Sequence, residues 1–271
     1  MKIRRIHSVL TSLALLALTG CASVAPSTSA EELTDPQTGY IIGYLARNEV
    51  PNSLKFLPLP PATGSAALAA DEATYQATRQ LRDTPRWVMA VKDADLSFPN
   101  AARTFSCALD IDIAQEATPH LYTLLRRVRG DASRATDPAK HFYKRQRPYL
   151  AHGDTSCTPQ HPLKAESYPS GHTSIGWAWA LILSEIAPER AETILARGVA
   201  YADSRIVCGV HWKSDTDAGR VVGAAVVSRL HTKPEFNAQL ALAHKEIEAA
   251  RAAGKPSSLD CVAEAQALSG K

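Results

Sequence analysis

The chain has 271 residues, of which 45% are hydrophobic and 21% are charged, a balance typical of a folded globular protein and not of a disordered or collagen-like one. This length predicts one large domain with room for a sizeable core. The formal net charge of +3 is accounted for by Lys2, Arg4 and Arg5, near the N-terminus. Because the rest of the chain is neutral, bulk charge gives no support to nucleic-acid binding.

Positions 1 to 20 have the form of a secretory signal peptide. Their basic residues precede an apolar stretch that is too short to span a membrane, and two small residues then lead to Cys21. This ending resembles a bacterial lipobox, so we expect Cys21 to be lipidated and to begin the mature chain. The alternative is cleavage a few residues later, which gives an exported protein without an anchor. The absence of an acidic residue just after Cys21 favours the outer membrane of a Gram-negative bacterium, facing the periplasm.

The next segments differ in composition. Residues 21–39 are rich in Ser, Thr, Pro and Ala and predict a flexible tether. The prolines between 51 and 61 exclude a helix and predict an extended surface segment. Helical patterning follows, so we assign residues 40–253 to one helical domain and 254–271 to a C-terminal tail.

Apolar residues at helical spacing predict a single-domain, all-α helical bundle. The predicted helices lie at 71–82, 109–117, 121–130, 173–186, 189–207, 214–230 and 234–253. The longest uncharged apolar run after the leader, at 175–183, is too short to cross a bilayer, so we expect membrane contact only through the N-terminal lipid. Leu240, His244 and Ile247 share a helix face that packs on the body or on a second subunit, which leaves a homo-oligomer open.

Four cysteines remain when Cys21 is set aside. They are Cys107, Cys157, Cys208 and Cys261. An even number in an oxidising compartment allows two disulfides, and three pairings are open. No pair has the CxxC spacing of a zinc site, so we interpret these cysteines as structural.

Two short segments carry residues suited to binding an anion. The first, Lys140–Pro148, is basic and by itself is typical of a solvated helix end. The second, Ser167–Thr173, places Ser170 and Gly171 at the start of an apolar helix, where backbone amides and the helix dipole suit phosphate. Alone, this second segment is equally typical of an ordinary helix cap.

A third segment combines Arg205, His211 and Asp215. Ser214 and Asp217 predict a capping box that places Asp215 in the first turn of a helix. There the carboxylate would accept the Nδ1 proton of His211 and leave Nε2 to attack a substrate. The structural alternative is a buried His–Asp pair that only joins two segments.

Together the segments supply three cations that can neutralise the oxygens of a transferring phosphoryl group: Lys140, Arg147 and Arg205. The order Lys-x6-Arg-Pro, Pro-Ser-Gly-His and Ser-Arg-x5-His-x3-Asp resembles the signature of the type 2 phosphatidic acid phosphatase and vanadium haloperoxidase superfamily. Within it, the chain is similar to the class A bacterial non-specific acid phosphatases over about Tyr40 to Phe236.

The resemblance implies a helical fold and hydrolysis of a broad range of phosphate monoesters, without a metal or another cofactor. It implies that His211 attacks phosphorus to form a phosphohistidine and that Asp215 orients His211. It also implies that His172 starts protonated and donates to the leaving alcohol, which suits a mildly acidic optimum. The implied phosphate-binding residues are Lys140, Arg147, Ser170, Gly171 and Arg205. Class A members usually carry glycine at the position of Glu166, so we expect an extra carboxylate at the pocket rim.

Three other functions compete with this interpretation. A vanadium-dependent haloperoxidase would use the same cations and histidine to hold vanadate. An integral lipid phosphatase would need its motifs on membrane-spanning segments. A non-catalytic phosphate-binding lipoprotein would have no need of both His172 and His211.

Overall fold

The computed structural model describes residues 25–37, 41–158 and 166–269. The predicted signal peptide and Cys21 lie outside these ranges. The described helices are α1 (Ala66–Arg79), α2 (Pro85–Asp93), α3 (Ser106–Leu109), α4 (Pro119–Arg134), α5 (Asp137–Tyr143), α6 (Pro148–Ala151), α7 (Gly171–Ile186), α8 (Ala191–Val207), α9 (Lys213–Leu230), α10 (Pro234–Ala252) and α11 (Cys261–Ser269). Short 3-10 turns lie at Ser53–Lys55, Ala101–Phe105 and Pro188–Arg190.

The all-α prediction is confirmed. Over the described ranges, the β pairing consists of an isolated bridge between Thr34 and Ile41. No helix in this part of the chain has the length and apolar character needed to cross a bilayer.

Helix α7 is the central helix of the bundle because it is apolar on nearly all sides. It packs against α4, α8 and α9, and α10 covers α4. Trp179 in its middle is fully buried and donates its indole proton to the carbonyl of Leu125 in α4, over 2.9 Å. The N-terminus of this central helix carries the Pro-Ser-Gly-His segment, so the bundle places that segment at one end of its core.

Glycine allows the three central helices to approach closely. A Cβ atom at Gly176 of α7 would lie 2.1 Å from the ring of Tyr201 in α8. One at Gly219 of α9 would lie 2.6 Å from the carbonyl oxygen of Ser170, at the start of α7. Both distances exclude a side chain in this packing, and the close approach joins the second and third sequence segments.

Capping residues explain where two helices begin. Ser65 accepts a hydrogen bond from the amide of Leu68, so α1 begins at Ala66 and not at the predicted position 71. Thr84 caps α2 and Pro85 occupies its first turn, two start signals that the apolar pattern alone did not reveal.

The predicted helix over 109–117 is wrong. Helix α3 ends at Leu109, and Asp110 adopts a left-handed conformation with φ 58°. The hydroxyl of Ser106 then accepts the amide of Ile113 at 3.2 Å, so a turn replaces the helix.

The C-terminal region differs from the predicted tail, since residues 261–269 form α11. Two disulfides join Cys107 to Cys261 and Cys157 to Cys208, which resolves the pairing that the sequence left open. In α10, Ile247 is fully buried in the main core of the same chain. Its apolar face therefore packs on the body.

Candidate active site

The structure brings the three sequence segments together at one end of α7. The amide of Ser170 donates to the backbone carbonyl of Asp215 at 2.9 Å, which joins the second segment to the third. Arg147 of the first segment donates to the carbonyls of Glu166 and Val210, at 2.9 Å and 2.8 Å. One guanidinium therefore connects the first segment to the third and to the residue directly before the second.

His211 lies beside Asp215, with Nδ1 3.4 Å from the carboxylate oxygen Oδ2. The same oxygen accepts the amide of Trp212 at 2.8 Å and the hydroxyl of Ser167. The predicted capping box of Ser214 and Asp217 is thus replaced by one in which Asp215 caps the amide of Trp212. These contacts fix Asp215 where it can accept the Nδ1 proton of His211.

The other ring nitrogen of His211 faces cations. Nη1 of Arg147 lies 3.1 Å from Nε2 of His211, so the guanidinium donates to the Nε2 lone pair. Burial, followed by the charges of Arg147, Lys140 and Arg205, holds the pKa of His211 well below its usual value. A neutral imidazole with its proton on Nδ1 has the lone pair on Nε2 that nucleophilic attack requires.

The predicted cations are largely withdrawn from water. Burial lowers the pKa of Lys140 to about 8 and that of Arg205 to about 10, and it also lowers the pKa of Arg147. Lys140 donates to the carbonyl of Glu166 at 3.4 Å. In the described part of the chain, Nε and Nη1 of Arg205 are buried without a hydrogen-bond partner. Buried guanidinium protons without acceptors are suited to an incoming anion.

Ser170 is the N-cap residue of α7. Its Oγ accepts from the amide of Thr173 at 3.3 Å and from the Thr173 hydroxyl at 3.0 Å, and it retains its own proton to donate. Gly171 begins the helix, where the first amides have no acceptor within the helix. A Cβ at Gly171 would meet its nearest neighbours only at 3.6 Å and 3.8 Å, the latter at Lys140. A Cβ there would make only ordinary contacts, so the protein's own packing does not require glycine at this position.

His172 borders a cavity of about 900 Å³, which is also lined by Arg205. Its Nε2 lies 3.0 Å from the carbonyl oxygen of Ala94, to which it donates, so Nδ1 is the nitrogen left to exchange protons. Burial and the charge of Arg205 hold the pKa of His172 well below its usual value. The expectation that His172 starts protonated therefore does not fit the site as it stands, because these cations oppose a further positive charge.

Arg145 is a residue of the site that the sequence motifs did not single out. It bridges two buried carboxylates. Nη1 donates to Asp215 and Nη2 to Asp71, at 2.7 Å and 2.8 Å. Asp71 in turn accepts both the amide and the hydroxyl of Ser214. The bridging role of Arg145 is visible only in the folded protein, because Asp71 and Asp215 are distant from it in the sequence.

The carboxylate of Glu166 partly offsets the lowering of the pKa of both Lys140 and Arg147, so its charge acts on the predicted phosphate-binding cations. Across the described residues, no group of three or more His, Cys, Asp or Glu side chains is arranged to hold a metal ion.

The comparisons with known proteins agree with this geometry. The PAP2 superfamily profile matches residues 122–238, which contain all three segments. A non-specific acid phosphatase of Providencia stuartii is 44% identical over 207 residues, covering 75% of this chain and 84% of the relative. An acid phosphatase of Zymomonas mobilis is 40% identical and covers 79% and 83%, and a non-specific acid phosphatase of Salmonella typhimurium is 40% identical and covers 72% and 80%. The chain therefore belongs to the PAP2 superfamily. Within it, the chain groups with the class A bacterial non-specific acid phosphatases, as predicted.

Proposed function

We propose that this acid phosphatase hydrolyses a broad range of phosphate monoesters to alcohol and inorganic phosphate through a phosphohistidine, without a metal ion. The observation that carries the proposal is the environment of His211. Its Nδ1 faces Asp215, while its Nε2 faces Arg147 among buried cations. This arrangement presents a nucleophile to a position where negative phosphoryl oxygens are stabilised.

In the first step, Nε2 of His211 attacks phosphorus and the bond to the ester oxygen breaks. The departing oxygen takes a proton from Nδ1 of His172 and leaves as the alcohol. The phosphorylated ring carries a positive charge, which Asp215 stabilises through the Nδ1 proton. In the second step, water gives a proton to His172 and attacks phosphorus, so the N–P bond breaks and inorganic phosphate and neutral His211 are released.

Protonation of His172 is coupled to anion binding in this scheme. In the free site, burial and Arg205 disfavour the charged ring. A bound phosphoryl group neutralises Arg205 and its neighbours, which raises the pKa of His172 and lets the ring take up the proton that the alcohol needs. This sequence of events favours activity on the acid side of neutrality.

The cations act on the phosphoryl group and not on the alcohol. Lys140, Arg147 and Arg205 would bind its oxygens, together with the Ser170 hydroxyl and the Gly171 amide. Because all five donors recognise the group that every monoester shares, the site is expected to accept many alcohols.

The test measures hydrolysis of an aryl phosphate from pH 4 to 9 in excess chelator, using the chain from residue 22 onward. We expect His211→Ala and His172→Ala each to lower kcat by several orders of magnitude, about the loss seen when a catalytic triad member is removed. His141→Ala is the matched control, because His141 is exposed on α5. Alkaline quenching during turnover should trap phosphate on His211, detectable by mass spectrometry of the peptide.

Three results would overturn parts of the proposal. Turnover abolished by chelator would contradict metal independence, and near-normal turnover of His211→Ala would contradict the phosphohistidine. Vanadate should inhibit hydrolysis as a phosphate mimic. Halide oxidation that appears on adding vanadate would instead favour a haloperoxidase, and tight phosphate binding without turnover would favour a binding protein.

We also propose that the protein is exported and anchored through lipid on Cys21, on the outer membrane facing the periplasm. The support is the sequence of the leader and the two disulfides, which suit an oxidising compartment. Cell fractionation should place the natural chain with the outer membrane and Cys21→Ala in the soluble periplasmic fraction. Equal membrane association of both proteins would contradict a lipid anchor.

A further inference from the structure

A cavity borders the site at His172 and Arg205, whereas His211 and Lys140 lie outside its lining. At about 900 Å³ it has room for the alcohol part of a substrate. Its wall is formed by the end of α2 and the chain that follows, and by two residues of the C-terminal region, Leu259 and Glu264. The region predicted to be a tail therefore lines the same cavity as His172.

Three separate interactions hold this C-terminal wall. The disulfide between Cys107 and Cys261 joins it to α3. The amide of Ser258 donates to Asp112 at 2.9 Å. Nε of Arg197 in α8 lies 3.1 Å from a carboxylate oxygen of Glu264.

The last of these interactions is linked to the interior of the protein. Arg197 is only 4% exposed and also pairs with the buried carboxylate of Asp93, at the end of α2. The hydroxyl of Ser204, directly before Arg205, donates to the same carboxylate at 2.5 Å. The wall is thus held in a defined position relative to the phosphate-binding cations.

Leu259 contributes an apolar surface to this cavity. The cavity lining includes further apolar side chains such as Met89, Val91 and Leu96, together with charged side chains such as Lys92 and Arg103. Since Leu259 is only partly buried by the protein itself, an apolar ligand in the cavity would remove more of its surface from water.

We propose that residues 257–269 form the leaving-group wall of the active site and that Leu259 is a specificity-determining residue that favours phosphate monoesters of apolar alcohols over those of polar alcohols. The inference rests on the proposed function, because it assigns the cavity to the alcohol that His172 protonates. It adds a substrate preference that the phosphate-binding donors by themselves do not provide.

The test compares kcat/KM for phenyl phosphate and glycerol phosphate in the natural chain and in Leu259→Ala. We expect the variant to lower the ratio of the two values about tenfold, the scale of losing apolar contact in a pocket. The inhibition constant of inorganic phosphate should stay unchanged, because the phosphate-binding donors are untouched. Val262→Ala is the matched control, since Val262 lies on α11 with 69% of its surface exposed.

A second variant tests the position of the wall. Replacing both Cys107 and Cys261 by alanine should lower the same ratio by releasing the C-terminal segment, and circular dichroism reports whether that protein folds. If it does not fold, Leu259→Ala decides alone. A ratio within twofold of the natural value in Leu259→Ala would overturn the inference.

Failure of the proposed function has a different signature. It would appear as absence of turnover in the natural chain or as full turnover in His211→Ala. In that case calorimetry still tests the wall. It measures the dissociation constants of phenylphosphonate and methylphosphonate, which can be compared in a protein that does not turn over substrate. The inference expects Leu259→Ala to weaken phenylphosphonate selectively, and equal weakening of both ligands would contradict it.

Discussion

Individual side chains at this site owe their properties to how little water reaches them. Lys140, Arg147 and Arg205 have lowered pKa values mainly because burial disfavours their charge, and in Lys140 and Arg205 the charge of Arg147 adds to the effect. Like charges held together away from water destabilise the empty site and favour a bound anion. The affinity of the site for phosphate and the lowered pKa values of its cations thus have the same cause, which is the burial of like charges.

Lys140 predicts a pH dependence. Its pKa is lowered to about 8, so the ammonium loses its proton above that pH in the free enzyme, whereas an ordinary lysine would remain charged. Because kcat/KM reports groups of the free enzyme, the plot of log kcat/KM against pH should become steeper by about one unit above pH 8. Lys140→Arg should lack this added slope, since a guanidinium remains charged there. An unchanged slope through pH 9 in the natural enzyme would contradict the assignment.

Arg145 predicts a loss of turnover without a loss of binding. It donates to Oδ1 of Asp215, whereas His211 lies beside Oδ2, so Arg145→Gln should release the carboxylate and lower kcat about 10- to 100-fold, the usual cost of losing a group that orients a reacting one. KM and the inhibition constant of phosphate should change little. Circular dichroism should show a folded variant, because an unfolded fraction would also lower the apparent kcat at an unchanged KM.

The controls for this experiment lie next to it in the sequence. Lys144→Gln removes an exposed neighbouring charge and should leave kcat unchanged. Arg145→Lys should recover part of the activity, since one ammonium can contact Asp215 or Asp71 but cannot bridge both as the guanidinium does. Equal losses in Lys144→Gln and Arg145→Gln would refute the positioning role.

At the scale of helices, the site depends on how closely α7 and α9 pack. The carbonyl oxygen of Ser170 lies 2.6 Å from the position that a Cβ of residue 219 would take, and the Ser170 amide donates to the backbone carbonyl of Asp215. Any outward shift of α9 therefore moves Asp215 relative to the start of α7. Close packing of α7 against α9 is therefore also what aligns the nucleophile with the phosphate-binding donors.

Gly219→Ala tests this requirement. Overpacking should lower the free energy of unfolding by about 1–3 kcal/mol and reduce kcat as well. The control is Gly130→Ala in α4, where a Cβ would lie 3.6 Å from the carbonyl of Ile41, an ordinary contact. That change should be neutral or stabilising by up to about 1 kcal/mol, because alanine is the better helix former. Chemical denaturation and steady-state kinetics measure both effects, and equal stability of the two variants would contradict the packing argument.

Helix prediction succeeded where periodicity and start signals agreed. The predicted span 234–253 nearly coincides with α10, and 173–186 with α7, because each has an apolar pattern followed by a clear break. Helix prediction failed at 109–117, because the apolar residues spaced there as in a helix belong to a turn around Asp110. It missed α11, whose large apolar residues are only Val262 and Leu268 and whose position depends on Cys261. Local patterns carry no information about a covalent link to residue 107.

For the whole molecule, the two disulfides make different contributions. Cys107–Cys261 has a sequence separation of 154 and joins the C-terminal helix to α3, whereas Cys157–Cys208 has a separation of 51. Cys208 lies two residues before Val210, whose carbonyl holds Arg147. The first disulfide thus attaches the leaving-group wall to α3. The second disulfide lies next to the segment whose carbonyl holds Arg147.

Removing each pair with alanine should separate these contributions. Each removal should cost about 2–5 kcal/mol of unfolding free energy, more for the longer loop if unfolded-chain entropy dominates. Loss of Cys157–Cys208 should also weaken phosphate inhibition, because the segment that holds Arg147 is loosened. Loss of Cys107–Cys261 should leave phosphate inhibition intact. Thermal melts and phosphate inhibition constants distinguish the two, and indistinguishable inhibition would contradict this division.

The amino-acid sequence by itself determined the all-α class, the family and the chemical inventory of the site, because helical periodicity and short spaced motifs are local properties. The tertiary structure decided the disulfide pairing, the bridge from Arg145 to Asp71 and Asp215, and the C-terminal wall. It also decided that burial and neighbouring cations lower the pKa of both His172 and His211. These features depend on distances between remote segments and on the exclusion of water, which arise only when the helices pack together.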